Sequence, residues 1–371
     1  MSVVTAATRF NALNYNPKRP NGSCPTVDDV RQDLIVLSKY TDTLRIYSIK
    51  DCNQGEPVLR AMEGTSWKLQ LGMWVGTDDT AYNADKAELI RLSGVFDLSK
   101  NVKALIVGSE ASYRKDQTTA QVAAKVREMR GVLSDLKLQS IPISVSETWP
   151  FYDQNLIDAV DYINVHVFPF WEGSTIQESN DVLFGHLYDL RNIAKGKKIV
   201  VGETGWPTSG DNYGDAVPSL SNSLTFMGQF ICRANKENFD YSYFTSFDTP
   251  WASTNNASNV ESHWGIIEGD YKTPKFQGDD WFSCDSVLRE LESQSDLHSS
   301  SSSSASSSSL KPTGTSNSSS TGTSTASEKS DDSVSAGSSS SKSSATLSTT
   351  LSFQNLLVFL FSLYISCALF I

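Results

Sequence analysis

Two glutamates follow directly on apolar runs, Glu110 in ALIVGSEASYR and Glu203 in KIVVGETGWPTSG. A carboxylate at the end of a buried strand is costly unless it is solvated or put to use. Either residue alone reads equally well as a member of a structural ion pair. As a pair they could lie across a sugar linkage, one protonated to donate to the leaving oxygen and the other ionised to attack the anomeric carbon. A retaining arrangement holds two such carboxyls about 5–5.5 Å apart. Glu147 in SVSETW closes another apolar run and reads as a substrate contact, as a partner that tunes the nucleophile, or as a structural carboxylate. His166 in NVHVFP could touch substrate or be an ordinary hydrogen-bonded core histidine.

Aromatic residues gather at the same positions. Trp74, Tyr113, Trp149, Phe168, Phe170, Trp171, Trp206, Phe247 and Trp251 fall at or just after the ends of apolar runs, and Tyr15 and Tyr47 close the first two. Ring faces stack on the apolar faces of sugars, so a mouth lined with them suits a neutral polysaccharide. Core packing is the better reading of any single ring, and it is the clustering at run ends that points to binding. No CxxC or His-rich spacing suggests a metal, and no cofactor is expected.

Positioning these groups requires a scaffold of strands and helices. Eight short apolar runs recur: 10–15, 43–47, 68–75, 104–108, 141–146, 162–167, 198–202 and 241–247. Amphipathic segments separate them. Val122, Val126, Met129, Leu133 and Leu136 share one helical face, with Thr118 or Thr119 placed to cap it, and Thr26 precedes Val30, Leu34 and Leu37 in the same manner. This alternation predicts an α/β fold, a (β/α)8 TIM barrel whose reactive groups sit at the C-terminal ends of strands. A doubly wound sheet would need a glycine-rich phosphate turn after the first strand, and none is present.

The chain has 371 residues, and 31 basic against 42 acidic side chains give a net charge of −11, which excludes a dedicated nucleic-acid binder. From about Ser293 to Thr350 the sequence is mostly Ser and Thr, without the large apolar side chains a core needs. The expected organisation is one catalytic body over 1–292, a disordered, O-glycosylated stalk over 293–350, and a hydrophobic signal over 351–371. Residues 356–371, LLVFLFSLYISCALFI, suit the removable tail of a GPI-anchor signal, with Gly337 to Ser344 as the attachment region; the alternative is a short tail anchor. Residues 1–10 hold no basic segment followed by an apolar run, so an extracellular placement implies a mature or truncated form, or a start assigned too late. Asn21, Asn256 and Asn317 open N-glycosylation triplets. Four cysteines lie in the body, and the pairing expected in a secreted chain is Cys24 with Cys52 and Cys232 with Cys284; in a cytosolic chain they would be buried thiols. A monomer is expected.

VGSEASYR at 107–114, GETGWPTSG at 202–210, FDTPW at 247–251, HWGI at 263–266 and LRIYSIKDCNQ at 44–54 together resemble glycoside hydrolase family 17. Within it the likeness is to the fungal cell-wall β-1,3-glucanases and glucanosyltransferases, and it covers nearly all of residues 10–285. The resemblance implies a (β/α)8 barrel, retention of configuration, Glu203 as nucleophile and Glu110 as acid/base. It also implies a β-1,3-glucan partner and a cell-surface location. The expected substrate contacts are Tyr15, Tyr47, Ser109, Tyr113, Glu147, His166, Phe168, Trp206, Phe247, Trp251, Glu261 and Trp264.

Two positions depart from the family pattern. Thr249 stands where the family commonly has a glutamate, so an auxiliary carboxylate is missing, although Glu261 matches another acidic position. Ser109 replaces the usual asparagine beside the acid/base and has a shorter reach toward a sugar 2-hydroxyl. A glucan-binding wall protein with little turnover is one alternative, favoured by Thr249 and opposed by the intact carboxylate pair. A barrel acting on β-1,4-mannan or cellulose is another, opposed only by the GETGWP resemblance.

Overall fold

Each apolar run supplies one strand, and all eight pair in parallel in sequence order. In the computed structural model of the protein the described residues are 9–252, 259–278 and 281–303. The strands are β1 (Leu13–Asn14), β2 (Thr43–Arg45), β3 (Lys68–Met73), β4 (Val102–Ser109), β5 (Ile143–Thr148), β6 (Ile163–His166), β7 (Ile199–Glu203) and β8 (Asp240–Tyr241). The sheet closes on itself where Leu13 bridges Tyr243, with the Asn14 N–H donating to the Tyr243 carbonyl at 3.0 Å and the Tyr243 N–H to the Ala12 carbonyl at 2.9 Å. The expected (β/α)8 barrel is therefore the observed fold. The last run is shorter as a strand than its apolar length suggests, because beyond Tyr243 the regular pairing ends: the Ser246 N–H donates to the Asn14 carbonyl at 3.0 Å and Phe247 bridges Ile267.

Helices α1 (Val27–Leu37), α2 (Gly55–Met62), α3 (Thr80–Ser93), α4 (Leu98–Asn101), α5 (Thr119–Asp135), α6 (Gln154–Ala159), α7 (Ser179–Ile193) and α8 (Leu220–Glu237) surround the barrel, and α9 (Cys284–Ser303) follows it. Thr26 caps α1 in a capping box with Asp29, and Thr118, rather than Thr119, caps α5 with Gln121. In α5 the expected stripe of Val122, Val126, Met129 and Leu133 is buried, each side chain contributing about 1.5–3 kcal/mol by leaving water. Leu136 lies beyond the helix as its C-cap.

The barrel interior is polar. Asn14, Arg45, Gln70, Ser144, Ser146, Asn164 and Ser242 are buried there. Among them Gln70 Nε2 donates to Ser242 Oγ at 3.2 Å, and Asn164 Nδ2 donates to Ser146 Oγ on the neighbouring strand at 2.6 Å. Apolar side chains of the same strands face the helices and form the main core.

Both expected disulfides are present: Cys24 with Cys52, and Cys232 with Cys284, the latter tying α8 to α9. Lys236 and Glu292 continue that contact at 2.8 Å. The boundary expected at residue 292 falls inside α9. Asn21 is exposed, as a glycan acceptor must be. Asn256 and Asn317, the stalk past residue 303 and the apolar C-terminus lie outside the described residues. Among the described residues no helix is long and apolar enough to cross a membrane.

Candidate active site

Glu110 begins the turn that leaves β4. Gly108, at φ +89°, and Glu110, at φ +56°, reverse the chain, and the latter conformation costs a non-glycine residue roughly 1–2 kcal/mol. Several bonds hold it. The Glu110 N–H donates to the Ser146 carbonyl at 2.8 Å, and Glu147 accepts from the Ser112 N–H at 2.9 Å. Arg114 donates to the carbonyls of Ser109 and, at 2.7 Å, Val75, with its guanidinium 4.3 Å from the centre of the Trp74 ring. These contacts pin the ends of β3, β4 and β5 together under Glu110.

Glu203 is the last residue of β7. Gly202 before it lets the strand approach β6, since a Cβ there would meet Asn164 Oδ1 at 2.7 Å. Arg45 lies beneath, its Nη1 3.0 Å from Glu203 Oε1, 3.0 Å from the Gly202 carbonyl and 3.0 Å from His166 Nε2. The Tyr47 hydroxyl hydrogen-bonds the Glu203 carboxyl and accepts from Asn14 Nδ2 at 2.9 Å.

His166, at the end of β6, stands between the two glutamates. Its Nδ1 is 2.7 Å from Glu110 Oε1 and its Nε2 is 3.3 Å from Glu203 Oε1. Arginine only donates, so Nε2 is assigned as the acceptor of Arg45 and Nδ1 as the donor to Glu110. One oxygen of Glu110 and one of Glu203 lie within 4.8 Å of each other. The three side chains have the donor types and spacing of a cation site. The Arg45 guanidinium already places a positive charge against two of them and opposes that use.

The carboxyls differ electrostatically. Burial pushes Glu110 up, but the hydrogen bond from His166, with the charges of Arg114 and Arg45, outweighs it and holds its pKa below the ordinary value. Burial lifts Glu203 above the ordinary value, against the pull of His166 and Arg45 and with help from the Glu110 charge. Glu147 is pushed up to about 8 by burial first and the Glu110 charge second, although the N–H groups of Thr148, Ser112 and Tyr113 favour its ionised form.

Several residues expected to contact substrate are committed elsewhere. Tyr15 is fully buried and its hydroxyl donates to Asp33 at 2.7 Å. Trp206 is buried with Nε1 donating to the Val217 carbonyl at 3.0 Å, and Phe247 is buried and stacked 4.3 Å from Tyr271. Glu147 is buried behind Glu110 and holds its turn, and buried His166 touches the carboxyls. In this structure all five are buried and bonded to or stacked on other protein groups. Ser109 is buried with its Oγ 3.4 Å from Arg45 Nη2, and Tyr47 adjoins Glu203.

On the loops that follow the strands, Tyr113, Trp149, Phe151, Phe168, Trp171, Tyr213 and Trp251 are partly exposed. Trp264 is buried against Phe168, Phe170, Trp171 and Phe244 and lies 3.4 Å from where a Gly205 Cβ would stand. Glu261 is half-buried, and its carbonyl accepts from Thr249 Oγ1 at 3.1 Å.

Arg45 escaped the sequence reading. The signal was there: a guanidinium in the apolar run TLRIY must be paired if that run is a barrel strand. Asn14, which orients Tyr47, carried no such signal.

Two carboxyls within glycosidase spacing at the strand ends of a (β/α)8 barrel, flanked by partly exposed rings, define a barrel glycoside hydrolase. Residues 12–265 match the BtgE/BtgC glycoside hydrolase domain, and the chain belongs to that family. It is similar to the glucan 1,3-beta-glucosidase of Saccharomyces cerevisiae, 30% identical over 273 residues that cover 69% of this chain and 87% of that protein. The glucan 1,3-beta-glucosidase of Candida albicans is 30% identical over 285 residues, covering 72% of this chain and 92% of its own. Among solved structures, the glycoside hydrolase family 17 beta-1,3-glucanosyltransferase of Rhizomucor miehei is 29% identical, covers 74% of this chain and 98% of its own, and superposes with a TM-score of 0.67.

Proposed function

We propose that the protein is a retaining enzyme acting on internal β-1,3-glucan linkages of the fungal cell wall, with Glu203 as nucleophile and Glu110 as acid/base. The observation that carries this reading is the facing of the two carboxyls at the ends of β4 and β7, where one oxygen of Glu110 comes within 4.8 Å of one oxygen of Glu203. The substrate class is supported by the relatives, which are named for action on 1,3-β-glucan. Glu203 attacks the anomeric carbon while Glu110 protonates the leaving oxygen. Glu110, now a base, takes a proton from water or from a glucan hydroxyl, and the glycosyl-enzyme passes to that acceptor. Arg45 and the Tyr47 hydroxyl stabilise the Glu203 carboxylate.

The body acts as a monomer outside the cell, carried on the Ser/Thr-rich stalk and held at the plasma membrane by a GPI anchor made from the C-terminal signal. The stalk and the apolar C-terminal run in the sequence support this placement. Release from membranes by a phosphatidylinositol-specific phospholipase is the expected result; protein that stays bound would indicate a tail that spans the bilayer.

Purified protein incubated with a short linear β-1,3-glucan, with products sized by mass spectrometry, tests the activity. Products longer than the substrate indicate transfer, and only shorter ones indicate hydrolysis. Glu203→Gln is expected to abolish both and to keep binding. Binding without turnover in the unaltered protein would favour the glucan-binding wall protein and direct attention to Thr249, whose hydroxyl is bonded to the Glu261 carbonyl.

A further inference from the structure

Trp149 opens the short 3-10 turn Trp149–Phe151 that follows β5, and its indole is half-buried. One face of it is covered by the imidazole of His186 from α7, with ring centres 4.1 Å apart and planes 11° from parallel. The imidazole is held in turn: its Nε2 lies 2.8 Å from Oε2 of Glu172, which ends the 3-10 turn Pro169–Glu172 after β6. A carboxylate only accepts, so Nε2 is assigned as the donor. Both partners are largely covered, with side chains 17% and 23% exposed, so water competes little for the bond that fixes the imidazole plane. The stack takes one face of the indole and leaves the rest of the ring to meet solvent. Trp149 also adjoins the Glu110 turn. Two residues before it Glu147 accepts the Ser112 N–H of that turn at 2.9 Å, and two residues after it Phe151 meets the Tyr113 ring of the same turn edge-on, with centres 5.6 Å apart.

We propose that His186, oriented by Glu172, is a positioning residue that holds the Trp149 ring as a platform for the sugar that accepts the glycosyl group, and so favours transfer over hydrolysis. The inference rests on the role of Glu110 as acid/base. In the second step Glu110 draws its proton from the acceptor hydroxyl, so the accepting sugar lies against the strand ends next to Glu110, and β5 is one of them. An indole stacks on the apolar face of a sugar, but a tryptophan free to turn must be immobilised when the sugar binds. Held beforehand by the imidazole, the ring has little of that freedom left to lose. Water needs no platform. Acceptor binding therefore strengthens while hydrolysis stays the same, and the glycosyl-enzyme passes more often to sugar. Formation of the glycosyl-enzyme, which needs no acceptor, is left as it was.

The test separates the two half-reactions in the full-chain protein. A β-1,3-linked glucose disaccharide carrying a β-fluoride at its reducing end forms the glycosyl-enzyme as Glu203 displaces fluoride, a leaving group of one atom that makes no use of an acceptor-side ring; a linear β-1,3-glucan trisaccharide is added as acceptor. His186→Ala is expected to keep Tm and the kcat/KM for fluoride release, and to raise by about 3–10-fold the acceptor concentration at which transfer equals hydrolysis. Glu172→Gln, whose amide oxygen still accepts the Nε2 hydrogen, should stay near the parent; a shift as large as that of His186→Ala would overturn the part given to Glu172. In a Trp149→Ala background His186→Ala should have no further effect, since the imidazole acts through the indole. Three results overturn the proposal: an unchanged partition in His186→Ala, an equal loss on top of Trp149→Ala, or a joint fall in Tm and fluoride release, which a merely structural histidine would give. Failure of the enzymatic reading looks different, as unaltered protein that releases no fluoride, and it would take this inference with it.

Discussion

Arg45 meets Glu203 from beneath, Nη1 to Oε1 at 3.0 Å, with the arginine side chain only 1% exposed. A cation so placed matters both to folding and to the charge that Glu203 must carry. Arg45→Met is expected to lower kcat about 10²–10³-fold by removing a fixed donor at a reacting carboxylate. It should also lower stability by about 3–5 kcal/mol, because the Glu203 carboxyl stays buried without its partner. Arg45→Lys keeps the charge without the planar Nη1 group that donates to the Gly202 carbonyl and His166 Nε2, and should fall between. Thermal unfolding and kcat measured together check this; a variant with normal turnover would remove Arg45 from the site.

Chemical rescue separates the two glutamates. Azide added to Glu203→Ala is expected to give an α-glycosyl azide, and added to Glu110→Ala a β-glycosyl azide, since the anion takes the place of whichever carboxylate is missing. The same anomer from both variants would overturn the assignment.

Glu147 should make stability fall as pH rises. Its folded pKa of about 8 lies above the ordinary 4.5, so the native state holds the proton more tightly than the unfolded chain. The stabilisation is complete below about pH 4.5 and is lost as pH rises toward 8. Glu147→Gln cannot titrate, and its single amide oxygen leaves one of the Ser112 and Thr148 N–H groups without an acceptor. It should be less stable at pH 4 by about 1–3 kcal/mol, with the gap closing toward pH 8. Urea unfolding of both proteins at several pH values checks the sign; parallel curves would show that Glu147 is not the titrating group.

The disulfides should stabilise the fold. They span 28 and 52 residues, for which loop-closure entropy gives about 3–4 kcal/mol each. Reduction should therefore lower the midpoint of urea unfolding. Replacing Cys232 and Cys284 with alanine should release α9 while leaving kcat nearly unchanged, which limited proteolysis and assays would detect together.

Much of the scaffold was readable from the sequence because it depends on local patterns. The 118–133 segment shows the general case: a capping threonine and an apolar stripe at helical spacing specify a helix and its buried face wherever it is placed. The eight strand positions followed from apolar runs in the same way. Glu110 and Glu203 could be picked out because a carboxylate after such a run is unusual. The aromatic residues were less legible. Trp206 and Trp149 both follow strand ends, yet one is in the interior with its N–H bonded and the other is partly exposed. Sequence position places a ring near the mouth without saying which side of the loop it faces.

By itself, then, the sequence determined the order of strands and helices, the disulfide partners and the two carboxylates that end strands β4 and β7. Only the tertiary structure decided that Arg45, His166, Tyr47 and Glu147 join them. Secondary structure arises from neighbours along the chain, where periodicity and capping act. The pairing of Arg45 with Glu203, 158 residues away, exists only once β2 and β7 face each other across a closed barrel. The same closure excludes water from those groups, and without water their charges and protons are set by one another.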